Sequence, residues 1–153
     1  MGSLTNSLKL HYPNITEKNY KHTSPSTNLY NCIAWAAIVD DKWWEPDPYY
    51  NYYWPQGVKR EYTIEAYMDA YRTEQFEECE SSKYEKDFEK IAIYIDSRTK
   101  EPLHAARLLE NGHWTSKLGQ SIDISHTKLS VLEGPKYGVA SKFMKRPRLV
   151  VRP

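Results

Sequence analysis

The spacing of apolar residues changes character once along this chain, near residue 90, and that change limits what it can fold into. Before it the apolar residues follow helical spacing. Ile33, Ala34, Ala36, Ala37 and Ile38 are apolar on nearly all sides, the pattern of a short helix enclosed by other structure. Ile64, Tyr67, Met68 and Tyr71 fall at i, i+3, i+4 and i+7, which predicts a helix over 63–73. After residue 90 short β-branched and aromatic runs take over: 90–95, 104–109 and 114–118, with further extended pieces at 121–126 and 137–144. Helices first and consecutive strands afterwards give an α+β fold, with a buried N-terminal helix on a mostly antiparallel sheet.

The connecting segments refine this reading. With 153 residues, one domain over 1–153 is expected. Residues 1–27 are rich in Asn, Thr, Ser, Lys and Tyr and read as an extended arm without a helix pattern, carrying at most a short strand near 8–10. Residues 40–62 hold Pro46, Pro48, Pro55 and Gly57 among Trp43, Trp44, Trp54 and several tyrosines, which predicts an aromatic loop packed on itself. Asn111-Gly112 between two strand-like runs predicts a two-residue hairpin pairing Glu110 with His113 and Ala106 with Lys117. Residues 74–90 are charged and leave room for a turn of helix.

Charge excludes several functions. Twenty-one Lys and Arg against 20 Asp and Glu leave a net charge of +1, so there is no electrostatic case for nucleic acid or an anionic membrane. The basic group Lys142, Lys145, Arg146, Arg148 and Arg152 reads as a solvated tail or a terminal strand. No apolar run of about 18 residues exists to span a bilayer. With no secretory signal pattern, the expected location is cytoplasmic, delivery elsewhere being left open. The two cysteines, Cys32 and Cys79, lack both a disulfide framework and metal-site spacing, so free thiols and no metal or other cofactor are expected.

Cys32 stands in the first turn of the buried helix, after Asn31. A thiol at a helix start is more easily ionised, and the thiolate is a nucleophile. His104 opens a strand and is expected to face that helix across the sheet and accept the thiol proton. A third polar group on the next strand would orient the imidazole. Ideal hairpin register puts Thr115 and Lys117 on the face of His104, and a bulge would bring Ser116 there instead. Asp123 and His126 on the following extended piece are further candidates. Trp35, Trp54 and Trp114 are the aromatic candidates for binding.

Tyr30-Asn31-Cys32-Ile33-Ala34-Trp35-Ala36, His104-Ala105-Ala106-Arg107 and Trp114-Thr115-Ser116-Lys117-Leu118-Gly119, with Asp123-Ile124-Ser125-His126 and Glu133-Gly134-Pro135-Lys136-Tyr137-Gly138, resemble a bacterial family of papain-like hydrolases of the NlpC/P60 and CHAP kind. The resemblance extends over about residues 8 to 147 and is most specific at Ser116-Lys117-x-Gly119. It implies a papain-like fold and cysteine-dependent acyl chemistry (amide hydrolysis, deamidation or acyl transfer) on a peptide or protein substrate. Cys32 would be the nucleophile and His104 the base. Where those enzymes place a His, Asn or Gln as third member, this chain has Ser116. That departure supports an alternative: a catalytically silent fold of this type used as a protein-binding or accessory module.

Overall fold

The computed structural model describes residues 2–118 and 120–148, which leaves Gly119 and Arg152 outside the described residues. The elements in chain order are α1 (Gly2–Lys9), β1 (Tyr20–Ser24), α2 (Cys32–Ala36), α3 (Ile64–Arg72), β2 (Glu77–Cys79), β3 (Phe88–Ile95), β4 (Pro102–Leu108), β5 (Trp114–Lys117), β6 (Asp123–His126), a 3-10 turn (Leu129–Leu132) and β7 (Val139–Pro147). All seven strands join one sheet in the order β1-β6-β5-β4-β3-β7-β2, and every neighbouring pair is antiparallel. The fold class is α+β. Among the described residues no helix is long and apolar enough to cross a membrane.

Side chains alternate across a sheet, so each strand feeds two cores. Ile91, Ile93, Ala105 and Met144 face the first core, where Ile33, Ala34, Ala36, Trp44, Trp54, Met68 and Tyr71 cover them. Their sequence neighbours Ala92, Tyr94 and Ala106 face the second, with Trp114, Ile124, Leu132 and Tyr137. The arm closes this second core, burying Leu8, Tyr12 and Ile15. Its helix α1 and strand β1 correct the expectation of an extended arm with a strand near 8–10. Leu4 and Leu8 are one helical turn apart, too short a pattern to stand out in a polar stretch, and tertiary burial supplies what propensity lacks.

Local chemistry ends the helices as the residue types dictate. Asn31 caps α2 by accepting from the Ala34 N–H, and the same side chain accepts from the Trp44 N–H and donates to the Trp44 carbonyl, pinning the aromatic loop to the helix start. Thr63 caps α3 in the same way. Within the loop, Asp47 accepts from the N–H groups of Asn51 and Tyr52 and pairs with Arg60 at 3.1 Å. Trp43 packs on Tyr52 and Trp44 on Tyr53, so the loop is largely its own core. Residues 77–79 form a strand, not the turn of helix for which the charged 74–90 stretch leaves room. The basic group belongs to a terminal strand: Lys142, Lys145 and Arg146 lie on β7 and pair with Glu78, Glu85 and Glu89.

Gly138 has φ +74, and a Cβ there would run into the backbone carbonyl of Ile95. Gly138→Ala is therefore expected to cost at least about 2 kcal/mol, read as a lower urea midpoint at unchanged slope. A variant as stable as the parent would show that the β3–β7 edge yields without cost.

Candidate functional site

The β4–β5 hairpin decides which side chains meet. Leu109 N–H bonds the His113 carbonyl at 2.7 Å and Gly112 N–H bonds back to Leu109 at 3.0 Å, with Gly112 at φ +86. This is a three-residue loop with glycine in the left-handed position, in place of the expected two-residue turn. It pairs Arg107 with Thr115 and Leu108 with Trp114, one residue away from the expected register. A one-residue slip exchanges the faces. Ser116 therefore joins His104, and Lys117 goes to the opposite face.

His104 is wholly buried, lies flat on Tyr137 (ring centroids 4.0 Å apart, planes 8° apart) and meets Tyr94 edge-on. These contacts put its ring on the second-core face, turned away from α2, which corrects the expectation that it faces that helix. His104 Nε2 lies 2.9 Å from Ser116 Oγ, Ser116 Oγ lies 2.8 Å from His126 Nε2, and His126 Nδ1 lies 2.9 Å from the Lys128 carbonyl. A carbonyl only accepts, so His126 carries its proton on Nδ1. Burial pushes the His126 pKa down to about 4, so near neutral pH Nε2 is an acceptor and Ser116 donates to it. Ser116 Oγ then accepts from the N–H at His104 Nε2. This chain fixes the tautomer of His104 and leaves Nδ1 as a bare lone pair, buried and without a hydrogen-bond partner. Burial, with a smaller contribution from His126, holds the His104 pKa well below the usual histidine range.

Cys32 packs against the first core. The residue is half-buried. Burial of its sulfur outweighs the helix start, and the thiol pKa is pushed up to about 11. This reverses the expectation of an easily ionised thiol, since α2 has only five residues to set against desolvation. The N–H groups of Ala105, Ile33 and Cys32 itself favour the thiolate and offset part of the burial. On β4, the N–H groups of Leu109, Arg107 and Ala105 alternate toward β5. Pairing with β5 stops at Arg107, and the Ala105 N–H is the first of the backbone groups that favour the thiolate. The thiol and the imidazole thus approach one opened stretch of the β4–β5 seam from opposite faces, and no hydrogen bond joins them.

The first-core face carries its own polar group beside the thiol. Tyr30 donates to Asp123 Oδ2 at 2.6 Å, while Asp123 Oδ1 is buried without a partner. Lys117 is Asp123's register neighbour, fully buried, and donates to the carbonyls of Thr27 and Ser121. Burial lowers the Lys117 pKa, while Asp123 and Cys32 act to raise it. The six expected polar residues therefore divide: His104, Ser116 and His126 on one face, Cys32, Lys117 and Asp123 on the other. Trp54 and Trp114 are core side chains, 5 % exposed each, and Trp54 donates to the Lys59 carbonyl. Trp35 is half-buried, stacks on Tyr30 and donates to Thr115. Cys79 lies on β2 at the far edge of the sheet, bonded to the Ser81 carbonyl. Among the described residues no three His, Cys, Asp or Glu side chains gather as metal ligands.

Sequence reasoning passed over Tyr30, Tyr12 and Tyr137. A tyrosine two residues before the cysteine was visible, but only the fold brings its hydroxyl to Asp123.

The family model described as a domain of unknown function (DUF7689) matches residues 21–145. The chain belongs to that family. The DUF7689 stretch includes every residue of both polar groups, whereas α1 and Tyr12 precede it. No curated protein and no solved structure matches the chain.

Proposed function

We propose that this DUF7689 protein is a cysteine-dependent hydrolase or acyl transferase of papain-like type acting on amide bonds, with Cys32 as nucleophile and His104 as general base. The observation that carries the reading is the His104–Ser116–His126–carbonyl chain. It holds an imidazole with its basic nitrogen unpaired, beside the strand residue whose N–H faces the thiol. A buried polar atom without a partner is costly, and such atoms concentrate where chemistry needs them.

At rest both partners are neutral, so proton transfer accompanies attack. As the sulfur–carbon bond forms, the thiol proton passes to His104 Nδ1. The imidazolium returns it to the leaving amine as the carbon–nitrogen bond breaks, and water or an acceptor amine then takes the acyl group from the thioester. Because the ring rests on the opposite face of the sheet, the transfer requires the opened β4–β5 stretch to let sulfur and Nδ1 approach through it to hydrogen-bond range.

Incubation with p-nitrophenyl acetate should place one acetyl group on Cys32, read by intact mass and peptide mapping. The adduct should be absent in Cys32→Ala and form about 10²–10⁴-fold more slowly in His104→Ala. Labelling confined to Cys79 would sink the assignment.

One observation favours a second reading. A neutral thiol with a pKa near 11 and no hydrogen bond to the imidazole also suits a silent scaffold that binds a protein partner. In that case Cys32 alkylation by iodoacetamide should rise steadily through pH 9 in both the parent and His104→Ala, with identical rates.

A further inference from the structure

A cavity of about 650 Å3 opens beside the second core, between α1 and the segment after β5. Its size is in the range of about 300–1,000 Å3 that small-molecule sites occupy. Leu4, Leu8 and Leu118 give it aliphatic walls, and Tyr12 with Tyr137 forms its inner end. Lys136 is its lysine; the residues that line it include no carboxylate.

The inner end is chemically incomplete. Tyr12 donates its hydroxyl proton to the Tyr137 hydroxyl at 3.1 Å. The Tyr137 proton therefore needs its own acceptor, and among the described residues it has none. Tyr137 is only 6 % exposed, so bulk water does not readily satisfy it. A buried donor with a lysine next to it in the chain, and apolar walls beside them, suit one kind of guest: an aliphatic chain ending in an acceptor that bears negative charge.

We propose that this cavity binds a carboxylate-headed aliphatic amphiphile, with the carboxylate accepting from the Tyr137 hydroxyl and drawn by Lys136, and the chain lying along Leu4, Leu8 and Leu118. The site does not use the thiol, so its binding is testable without the nucleophile. Because Tyr137 lies flat on His104, an occupant is sensed at the imidazole.

Calorimetric titration with decanoate tests this on the full chain. Saturable binding is expected, weakening about tenfold in octanoate for the two methylenes lost. Decylamine and decanamide should bind at least about tenfold more weakly than decanoate, for want of a charge-assisted bond. Tyr137→Phe should weaken decanoate about tenfold. Lys136→Ala, an exposed change that leaves packing intact, should weaken it a few-fold in a salt-dependent way. Ser26→Trp, at the rim, should block it. In the folded parent, decanoate should shift the ring 15N resonances of His104. Cys32→Ala should bind decanoate as the parent does, which separates this test from that of the nucleophile. No saturable binding, equal binding of decanamide or decylamine, or unchanged affinity in both Lys136→Ala and Ser26→Trp overturns the proposal.

Discussion

Between pH 6.5 and pH 4 the protein should lose about 3 kcal/mol of stability through His126 alone. The folded state holds this side chain neutral down to a pKa of about 4, while the unfolded chain titrates near 6.5. In that window the unfolded state binds a proton that the folded state excludes, so stability is full above pH 6.5 and falls as the pH drops toward 4. His104 acts in the same sense, since burial also holds its folded pKa well below the usual histidine range. The carboxylates whose folded pKa lies below the usual value, Asp47, Glu85 and Asp96, lose their contribution only near and below pH 4. The interval from 6.5 to 4.5 therefore isolates the histidines. Urea unfolding at four pH values should show the fall in the parent and a much flatter profile in a His104→Gln, His126→Gln double variant. A parent profile flat from pH 7.5 to 4.5 would contradict the buried, neutral relay.

Lys117→Ala should be the most damaging single change near the thiol, costing about 3–5 kcal/mol. The ammonium is fully buried, and two backbone carbonyls, those of Thr27 and Ser121, accept from it. Its removal deprives both of a donor. It also leaves the buried Asp123 carboxylate with the Tyr30 hydroxyl and without its neighbouring cation. The melting temperature should drop by about 10 °C or more. The cause is separable by a double-mutant cycle: with Asp123→Asn in the background, Lys117→Ala should cost clearly less, because no buried carboxylate is then stranded. Additive losses in the cycle would mean that Lys117 does not act through Asp123.

Much of the architecture was legible because it rests on local pattern. The spacing of Ile64, Tyr67, Met68 and Tyr71 gave α3 to within a residue or so, and the β-branched run at 91–95 gave the centre of β3. The start of α2 was readable from a cap that works through one short side chain, Asn31. The arm was misread because Leu8, Tyr12 and Ile15, scattered through a polar stretch, gain their burial from a core whose other members run from Ala92 to Tyr137.

The sequence by itself determined α2, α3 and the run of strands from β3 onward, and it offered the candidate residues: Cys32 at a buried helix start, His104 on a strand, Ser116 and Lys117 on the next, Asp123 and His126 after them. Only the tertiary structure decided how that set divides. Strand side chains alternate with period two, so a single extra residue in the loop at Gly112 turned Ser116 to His104 and Lys117 to the opposite face. Loop length is a small local choice whose energy composition does not reveal. The ionisation of Cys32 was likewise decided in three dimensions, because desolvation depends on everything packed around the sulfur, and here it outweighs the short helix that sequence alone places beneath it.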